Sequence, residues 1–252
     1  MVDRPPVAAA DPRRNLVSAT AIAKSGRVLG AFAHFYFPFY GRNPGDLFWQ
    51  FDPFAWISSF VYDVDEEIER GRPPEDVLGR LDDLAAYLRA RIALDPPVIR
   101  LFDDARRYYR FEYDVTRQGA DYSLDDLAQI TGVRSFDFRL MHRLLAQWSR
   151  GGYREVLFDW FRALEMLMEI EDDMVSVEED RRRGTFNVVC LAIRRASDAG
   201  AAFVERLRRH VEDDLLLRRE RLSNDERDLC ARTLETYRGI VRRPVLGEPD
   251  PM

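Results

Sequence analysis

An acidic segment in the second half of the chain carries the strongest chemical signal in the sequence. Residues 169–189 read EIEDDMVSVEEDRRRGTFNVV, in which Asp172, Ser176 and Asp180 stand four residues apart. On a helix of 3.6 residues per turn, positions i, i+4 and i+8 fall within about 80° of one another. The spacing therefore predicts two carboxylates and one hydroxyl on one helix face, a set that we call the acidic row.

The acidic row offers only oxygen ligands, and this donor set suits magnesium. Mg²⁺ takes one or two carboxylates, keeps several waters and completes its shell with phosphate oxygens of a substrate. Acidic clusters on surface helices are more often a solvated face, so acidity alone does not identify a metal site. The residues that follow the row decide between these two interpretations.

A longer pattern extends beyond the acidic row, because Gly184, Asn187 and Val189 follow it at fixed offsets. The string D-D-x-x-S-x-x-x-D-x-x-x-G-x-x-N-x-V resembles the second metal-binding motif of bacterial class I terpene synthases. The resemblance implies that the three residues of the acidic row are Mg²⁺ ligands. It also implies a helical bundle of the class I isoprenoid synthase type, with a central active-site cavity.

The resemblance requires a second acidic motif upstream. Residues 54–71, FAWISSFVYDVDEEIERG, resemble the family's Asp-rich helix, in which an apolar helix ends in DDxxD at the mouth of the pocket. This segment has no literal DDxxD, and two registers are open: Asp63 with Glu67, or Asp65-Glu66 with Glu69. We favour Asp63 and Glu67 as further metal ligands, because Asp63 comes three residues after Phe60, as the first acid of the family motif often does.

The resemblance also implies side chains that contact the diphosphate of a substrate. An arginine between the two motifs senses diphosphate in the family, and Arg134 is the best candidate here, with Arg139 second. Tyr237 and Arg238 correspond, in reversed order, to a late Arg-Tyr pair of the family. The expected diphosphate-binding residues are Arg134, Arg183, Asn187, Tyr237 and Arg238.

Aromatic side chains precede both acidic motifs. A ring face carries a negative quadrupole that stabilises a cation by about 0.5–2 kcal/mol per contact. We expect Trp56 and Phe60 to line the pocket foremost, together with Phe158 and Phe161 near the second motif.

The function implied by the resemblance is that of a Mg²⁺-dependent terpene synthase. Such a lyase ionises an allylic prenyl diphosphate and cyclises the carbocation to a terpene hydrocarbon or alcohol. The motifs do not fix the chain length of the substrate or the product skeleton.

Two alternatives to the cyclase stay open. One is a head-to-head prenyl synthase of the squalene/phytoene type, because Asp172, Glu179 and Asp180 also fit D-x-x-x-D-x-x-E-D with Ser176 in place of the second Asp. The serine favours the cyclase. The other is a terpene-synthase-like protein that binds a partner or an isoprenoid without catalysis, in keeping with the degenerate first motif.

Helical periodicity runs through nearly the whole chain and positions these motifs. The predicted helices cover about 16–33, 53–69, 75–93, 98–117, 124–133, 136–148, 153–180, 186–197, 199–221 and 224–241. No run alternates with period two over enough length to demand a strand. We expect one all-α domain over residues 16–243, between an N-terminal tail (1–15) and a C-terminal tail (244–252).

Composition excludes several classes of protein. Of the 252 residues, 46% are apolar and 12% aromatic, too many for a disordered chain. The formal net charge is −6 without a basic stripe, which argues against a nucleic-acid partner. Two cysteines in helical sequence, no long apolar run and no signal peptide predict a cytoplasmic protein without stable membrane insertion. A homodimer is one expected assembly, since dimers are common in the family that the sequence resembles.

Overall fold

A computed structural model describes residues 17–90 and 94–241, without the side chains of 49–51, 240 and 241. Every regular element in these residues is helical, so the all-α prediction is confirmed. The α-helices are α1 (Ala19–Tyr36), α2 (Leu47–Glu69), α3 (Pro74–Val77), α4 (Gly79–Arg89), α5 (Pro96–Tyr113), α6 (Leu124–Thr131), α7 (Phe136–Trp148), α8 (Glu155–Arg183), α9 (Val188–Arg219) and α10 (Asn224–Val241). Both predicted tails, 1–15 and 244–252, lie outside the described residues.

Side-chain caps begin several of these helices. Ser18 accepts a hydrogen bond from the Ala21 N–H at 3.0 Å and so begins α1. Asp95 does the same for α5. Ser123 and Asp126 form a reciprocal capping box at the start of α6. Each cap satisfies a backbone N–H that the first helical turn leaves without a partner, so these polar residues set where the helices start.

Two helical regions differ from the prediction by more than a few residues at their ends. α2 begins at Leu47 and includes Pro53, where we expected the helix to start. Proline costs one helical hydrogen bond, and the complete burial of Phe54 and Ile57 beside it offsets that loss. The predicted helix 75–93 divides into α3 and α4. The predicted break between helices 186–197 and 199–221 is confirmed, because the backbone inside α9 is non-helical at Ala196 and Ser197 (φ 48°).

Pairs of long helices form the body of the bundle. α1 packs along α2 and α8 along α9, while α5 packs against α7 and α6 against α9. Tyr36 of α1 stacks on Phe161 of α8, with ring centroids 3.9 Å apart. In the described part of the chain, no helix has the length and apolar character needed to cross a membrane. The middle parts of α2 and α8 are buried, as Ile57 (0% exposed) and Leu164 (2% exposed) show, and the acidic segments follow them along each helix.

Candidate functional site

A cavity of about 500 Å³ opens among α2, α5, α7 and α8, and we call it the polar cavity. The described carboxylates that line it are Asp65, Glu69, Glu112, Asp137, Glu169, Asp172, Asp173, Glu179 and Asp180. The described cationic side chains that line it are Lys24, Arg134 and Arg183. Nine carboxylates with three cations give the cavity a strongly negative potential, which favours binding of a cation.

The acidic row lines the polar cavity from α8, as one face of a single helix. The Ser176 hydroxyl donates a hydrogen bond to Oδ2 of Asp180 at 2.5 Å, and the Thr185 hydroxyl donates to Oδ1 at 3.1 Å. Burial, and then the charges of Glu169 and Asp180, raise the pKa of Asp172 above its ordinary value. The row is therefore a set of oxygen atoms held together without an arginine bound to Asp172 or Asp180 among the described residues.

The Asn187 side chain fixes the C-terminal end of the acidic row by a hydrogen bond to Asp180. Gly184, with φ at 68°, ends α8 in the left-handed conformation and turns the chain back. Asn187 then caps α9 through its Oδ1, while its Nδ2 donates to Asp180 Oδ2 at 2.9 Å and to the main-chain oxygen of Asp173 at 2.7 Å. Its side chain is fully buried and lies outside the lining of the cavity. The geometry therefore makes Asn187 a positioning residue, rather than the diphosphate contact we expected.

The donor set of the acidic row fits Mg²⁺. Among the described residues, no three Asp, Glu, His or Cys side chains form a ready-made metal centre. A row with two carboxylates and one hydroxyl instead matches a Mg²⁺ ion that relies on water and substrate phosphate for its other ligands. The Asn187 amide fixes one of these carboxylates in the way that outer hydrogen bonds orient metal ligands.

The favoured register of the first acidic motif points away from the polar cavity. Asp63 is buried, forms an ion pair with Arg80 and accepts a hydrogen bond from the Ser18 N–H at 2.9 Å. Glu67 forms an ion pair with Arg72 at the end of α2. Both carboxylates therefore have cationic partners outside the cavity, and the expectation that they are metal ligands is corrected.

The other register of this motif faces the polar cavity. Asp65 and Glu69 are one helical turn apart and line it opposite the acidic row. Burial raises the pKa of Asp65, and burial together with the charge of Asp65 raises the pKa of Glu69. Their ion pairs come from other helices, with Lys24 at 3.5 Å and Arg183 at 3.2 Å. Asp65 and Glu69, rather than Asp63 and Glu67, are therefore the carboxylates of α2 that line the polar cavity.

Arg134 lies in the lining of the polar cavity, at the break between α6 and α7. Its guanidinium donates to Asp173 at 2.8 Å and pairs with Glu169 at 2.9 Å. The next residue, Ser135, has a left-handed backbone with φ at 57° and donates its hydroxyl to Glu169 at 2.6 Å. Such a conformation in a residue other than glycine is strained and is often found at functional sites.

Arg139, our second candidate for a diphosphate sensor, belongs to the core. Its Nε donates to Glu165 at 2.7 Å, and the Tyr36 hydroxyl donates to the other oxygen of the same carboxylate at 2.6 Å. One further guanidinium nitrogen donates to the carbonyl oxygen of Gly132. This buried network ties α1, α7 and α8 together below the polar cavity.

The remaining diphosphate candidates divide between the cavity and the surface. Arg183 lies in the lining of the polar cavity, with more than half of its side chain exposed. Tyr237 donates its hydroxyl to Glu171 at 2.6 Å and lines a second cavity. Arg238 pairs with Glu212 at 3.0 Å on the surface and lies in the lining of neither cavity. Of this C-terminal pair, only the tyrosine is therefore near the candidate site.

The second cavity, of about 540 Å³, adjoins the polar cavity, and we call it the apolar chamber. The apolar and aromatic side chains that line it alone are Val28, Ala31, Phe35, Tyr36, Leu164, Met168, Val175 and Tyr237. The lining shared by the two cavities consists of Tyr62, Ser135, Phe138, Glu169 and Asp172. Glu165 and Glu171 also line the chamber. A charged cavity thus adjoins a mainly apolar one beside the first residue of the acidic row.

The aromatic residues expected in the pocket lie elsewhere. Trp56 and Phe60 line a separate surface pocket together with Tyr87. Phe158 stacks on His142, and Phe161 is completely buried in the core. Helical spacing placed these rings on apolar faces, and these faces pack against other helices instead of lining the cavities.

Sequence analysis overlooked two buried carboxylates of the polar cavity. Glu112 and Asp137 are each buried, and one carboxylate oxygen of each has no hydrogen-bond partner in the described residues. The sequence did contain a signal for both residues, because each carboxylate lies on the apolar face of its helix. Tyr109 precedes Glu112 by three residues, and Leu140 follows Asp137 by three. A carboxylate on an apolar face has to be explained by a partner or by a function.

Comparison with known proteins gives no match: no family model, no curated protein and no solved structure matches the chain.

Proposed function

We propose that the protein is a Mg²⁺-dependent terpene synthase of the class I isoprenoid synthase type. The observation that carries this proposal is that the polar cavity and the apolar chamber adjoin and share Asp172 in their linings. A prenyl diphosphate has a highly charged head and a hydrocarbon tail, so it matches both compartments at once. The acidic row at the junction fits the metal that such a head requires.

Each compartment has a role in this reaction. Bound Mg²⁺ would neutralise the charge that develops on the departing diphosphate. Asp172, Ser176 and Asp180 would hold it from α8, with Asp65 and Glu69 on the facing α2. Two cationic side chains would orient the diphosphate. Arg134 lies just before α7, and Arg183 lies at the mouth of the cavity. The carbon chain would lie in the apolar chamber, where water is excluded from the carbocation.

Aromatic rings in the lining are suited to stabilise this carbocation. Phe138 and Tyr62 lie at the junction, and Phe35 and Tyr36 lie in the apolar chamber. These rings replace Trp56 in the role we assigned from the sequence. A ring face in such a dry site contributes about 0.5–2 kcal/mol per contact.

The experiment that tests the proposal measures product formation directly. Purified protein is incubated with C10, C15 and C20 prenyl diphosphates, with Mg²⁺ or with EDTA, and organic extracts are read by gas chromatography and mass spectrometry. We expect a cyclic hydrocarbon or alcohol from one chain length, formed only with Mg²⁺. A linear product from two joined substrates would indicate the head-to-head synthase instead.

The absence of product from folded protein would refute the cyclase proposal. Isothermal titration with inorganic diphosphate then separates the remaining candidates. Binding that requires Mg²⁺ would indicate an active site for another prenyl substrate, whereas metal-independent binding of an isoprenoid would favour the non-catalytic protein. The homodimer and the cytoplasmic location also remain proposals, and light scattering of the purified protein tests the first.

A further inference from the structure

Asp137 differs from most other carboxylates of the polar cavity in having no partner for its charge. Its residue surface is 6% exposed, and no described side chain forms an ion pair with it. Its Oδ2 has no hydrogen-bond partner in the described residues. By contrast, Asp173 pairs with Arg134 and Asp65 with Lys24 in the same cavity. A buried carboxylate without compensation costs stability, and such a cost points to a function.

The position of Asp137 is next to the junction of the two cavities. It lines the polar cavity from the first turn of α7, and the following residue, Phe138, lines both cavities. Burial raises the pKa of Tyr62 and of Tyr36, and the charge of Asp137 raises both further. Ser135 and Phe138, which flank Asp137 in the chain, both line the two cavities, so Asp137 lines the polar cavity beside the part of the lining that the apolar chamber shares.

We propose that Asp137 is the catalytic base that removes the last proton from the carbocation and so ends the reaction. This inference rests on the proposed terpene synthase function and adds a residue to it. In the step, Oδ2 takes a proton from the carbon next to the cationic centre. The electron pair of the broken C–H bond forms the new C=C bond and neutralises the cation. The carboxyl group then returns the proton to water or to the released diphosphate.

The acidity of Asp137 suits this role. Burial raises the pKa of Asp137 to about 7, while the backbone N–H of Phe138 opposes that rise. A group with a pKa near the working pH is ionised often enough to accept a proton and can release it again afterwards. Glu112 also has one carboxylate oxygen without a hydrogen-bond partner in the described residues, but the charges that act on it are those of Asp65, Arg134 and Glu69 on the polar side. It therefore serves as a comparison within the same cavity.

The test separates ionisation of the substrate from termination of the reaction. Asp137→Asn, Asp137→Glu and Glu112→Gln are compared with the wild type under single-turnover conditions, with the prenyl diphosphate that the wild type converts. Released diphosphate reports ionisation, and mass spectrometry of the extract reports the product ratio. Circular dichroism confirms that each variant is folded, and Asp137→Ser replaces Asp137→Asn if the latter is not.

We expect Asp137→Asn to release diphosphate within about threefold of the wild-type rate, while the share of the wild-type olefin falls roughly tenfold or more. Other olefins or alcohols should replace it, Asp137→Glu should restore part of it, and Glu112→Gln should keep the wild-type ratio. An unchanged ratio in Asp137→Asn, or a loss of diphosphate release equal to the loss of product, would overturn the assignment of the base alone. No diphosphate release from the wild type would overturn the terpene synthase proposal, and the base with it.

Discussion

The carboxylates on the two faces of α2 have different electrostatic surroundings. On the outer face, Asp63 has Arg80 as a partner and Glu67 has Arg72. On the inner face, Asp65 pairs with Lys24 and Glu69 with Arg183. The outer face is electrically balanced within itself, as in an ordinary structural ion pair. The inner face borders the polar cavity, where nine described carboxylates share three described cationic side chains, and this excess of carboxylates favours binding of a cation.

The difference teaches how to separate structural from functional acidic residues in this chain. A buried ion pair contributes little net stability, but removal of one partner is costly because the other charge stays buried. An unpartnered carboxylate has the opposite behaviour, since its removal relieves a cost. Substitutions on the two faces should therefore move stability and activity in different directions, and this contrast can be measured.

Asp180→Ala should have the largest effect on activity. It removes a proposed metal ligand of the acidic row together with the acceptor for Ser176, Thr185 and Asn187. We expect turnover of the prenyl diphosphate to fall roughly 10³-fold, the loss typical of a main electrostatic contribution to catalysis, with an unchanged helical circular dichroism spectrum.

Glu178→Ala is the matched control for this variant. Glu178 is exposed on the same helix, pairs with Arg181 at 3.1 Å and lies outside the lining of the cavity. Its turnover should equal that of the wild type. Full activity in Asp180→Ala would show that the acidic row is not a metal site and would contradict the proposed role of the polar cavity.

Asp63→Asn should lower stability more than any other substitution on α2. It leaves Arg80 without its carboxylate and weakens the bond from the Ser18 N–H. We expect the free energy of unfolding to fall by about 3 kcal/mol, measured by urea denaturation, with turnover per folded molecule unchanged.

Asp65→Asn tests the same contrast from the inner face. Asp65 lines the polar cavity, and burial raises its pKa. The variant should lose turnover about 10–100-fold, because a neutral amide is a weaker ligand for Mg²⁺ than a carboxylate. Its stability should change by at most about 1 kcal/mol, because the pair with Lys24 is partly exposed. If Asp63→Asn were instead the inactive variant and Asp65→Asn the unstable one, the sequence-based choice of register would be right and the structural one wrong.

The helical fold and the acidic row could be predicted from the sequence because both depend on local sequence patterns. Helical periodicity and the i, i+4, i+8 spacing depend only on neighbouring residues, so α8 and the shared face of Asp172, Ser176 and Asp180 follow from the pattern. The choice between Asp63 and Asp65 did not follow. It depends on Arg80 and Lys24, which come from other helices and are brought close only by tertiary packing.

The aromatic residues show the same limit of local reasoning. Trp56 and Phe60 stand at helical spacing just before an acidic run, but that face of α2 packs toward Tyr87 of α4. Asp137 could have been noticed, since it shares an apolar helix face with Leu140. What such a carboxylate meets inside the bundle is again a property of the packing and not of the helix that carries it.

Asp137→Asn should change how stability depends on pH. Because burial raises the pKa of Asp137 to about 7 in the folded protein, the fold prefers the protonated group. Its contribution to stability is therefore complete below its ordinary pKa near 4 and is lost as pH rises toward 7. Relative to the variant, the wild type should lose about 2 kcal/mol of unfolding free energy between pH 5 and pH 7.

The control for this pH effect is Asp63→Asn, measured over the same pH range. Other carboxylates with raised pKa values make the same contribution to the pH dependence of stability in the wild type and in each variant. The difference between the wild-type and variant curves of unfolding free energy against pH therefore reports the substituted residue alone. Since Asp63 has a cationic partner, removing it should lower stability at neutral pH, whereas removing Asp137 should raise it. Curves of the same sign for both variants would contradict the contrast between paired and unpartnered carboxylates.

Arg183→Gln should have the smallest effect and should act on substrate binding alone. Arg183 pairs with Glu69 at 3.2 Å and Glu179 at 3.6 Å, with 55% of its side chain exposed. Exposed pairs contribute at most about 1 kcal/mol, so the melting temperature should stay within a few degrees of the wild-type value. Because the guanidinium lies at the mouth of the polar cavity, KM for the prenyl diphosphate should rise about tenfold with little change in kcat.

The neighbouring Arg182→Gln is the control for this last prediction, since Arg182 is exposed and bonds only to the main-chain oxygen of Glu178 among its described contacts. Its KM should stay at the wild-type value. An exposed charge is screened by salt, so the difference in KM between the wild type and Arg183→Gln should shrink as ionic strength approaches about 1 M, where the Debye length is about 3 Å. Equal effects of the two substitutions would mean that the arginines act through the overall charge of this helix end, and that Arg183 does not touch the diphosphate.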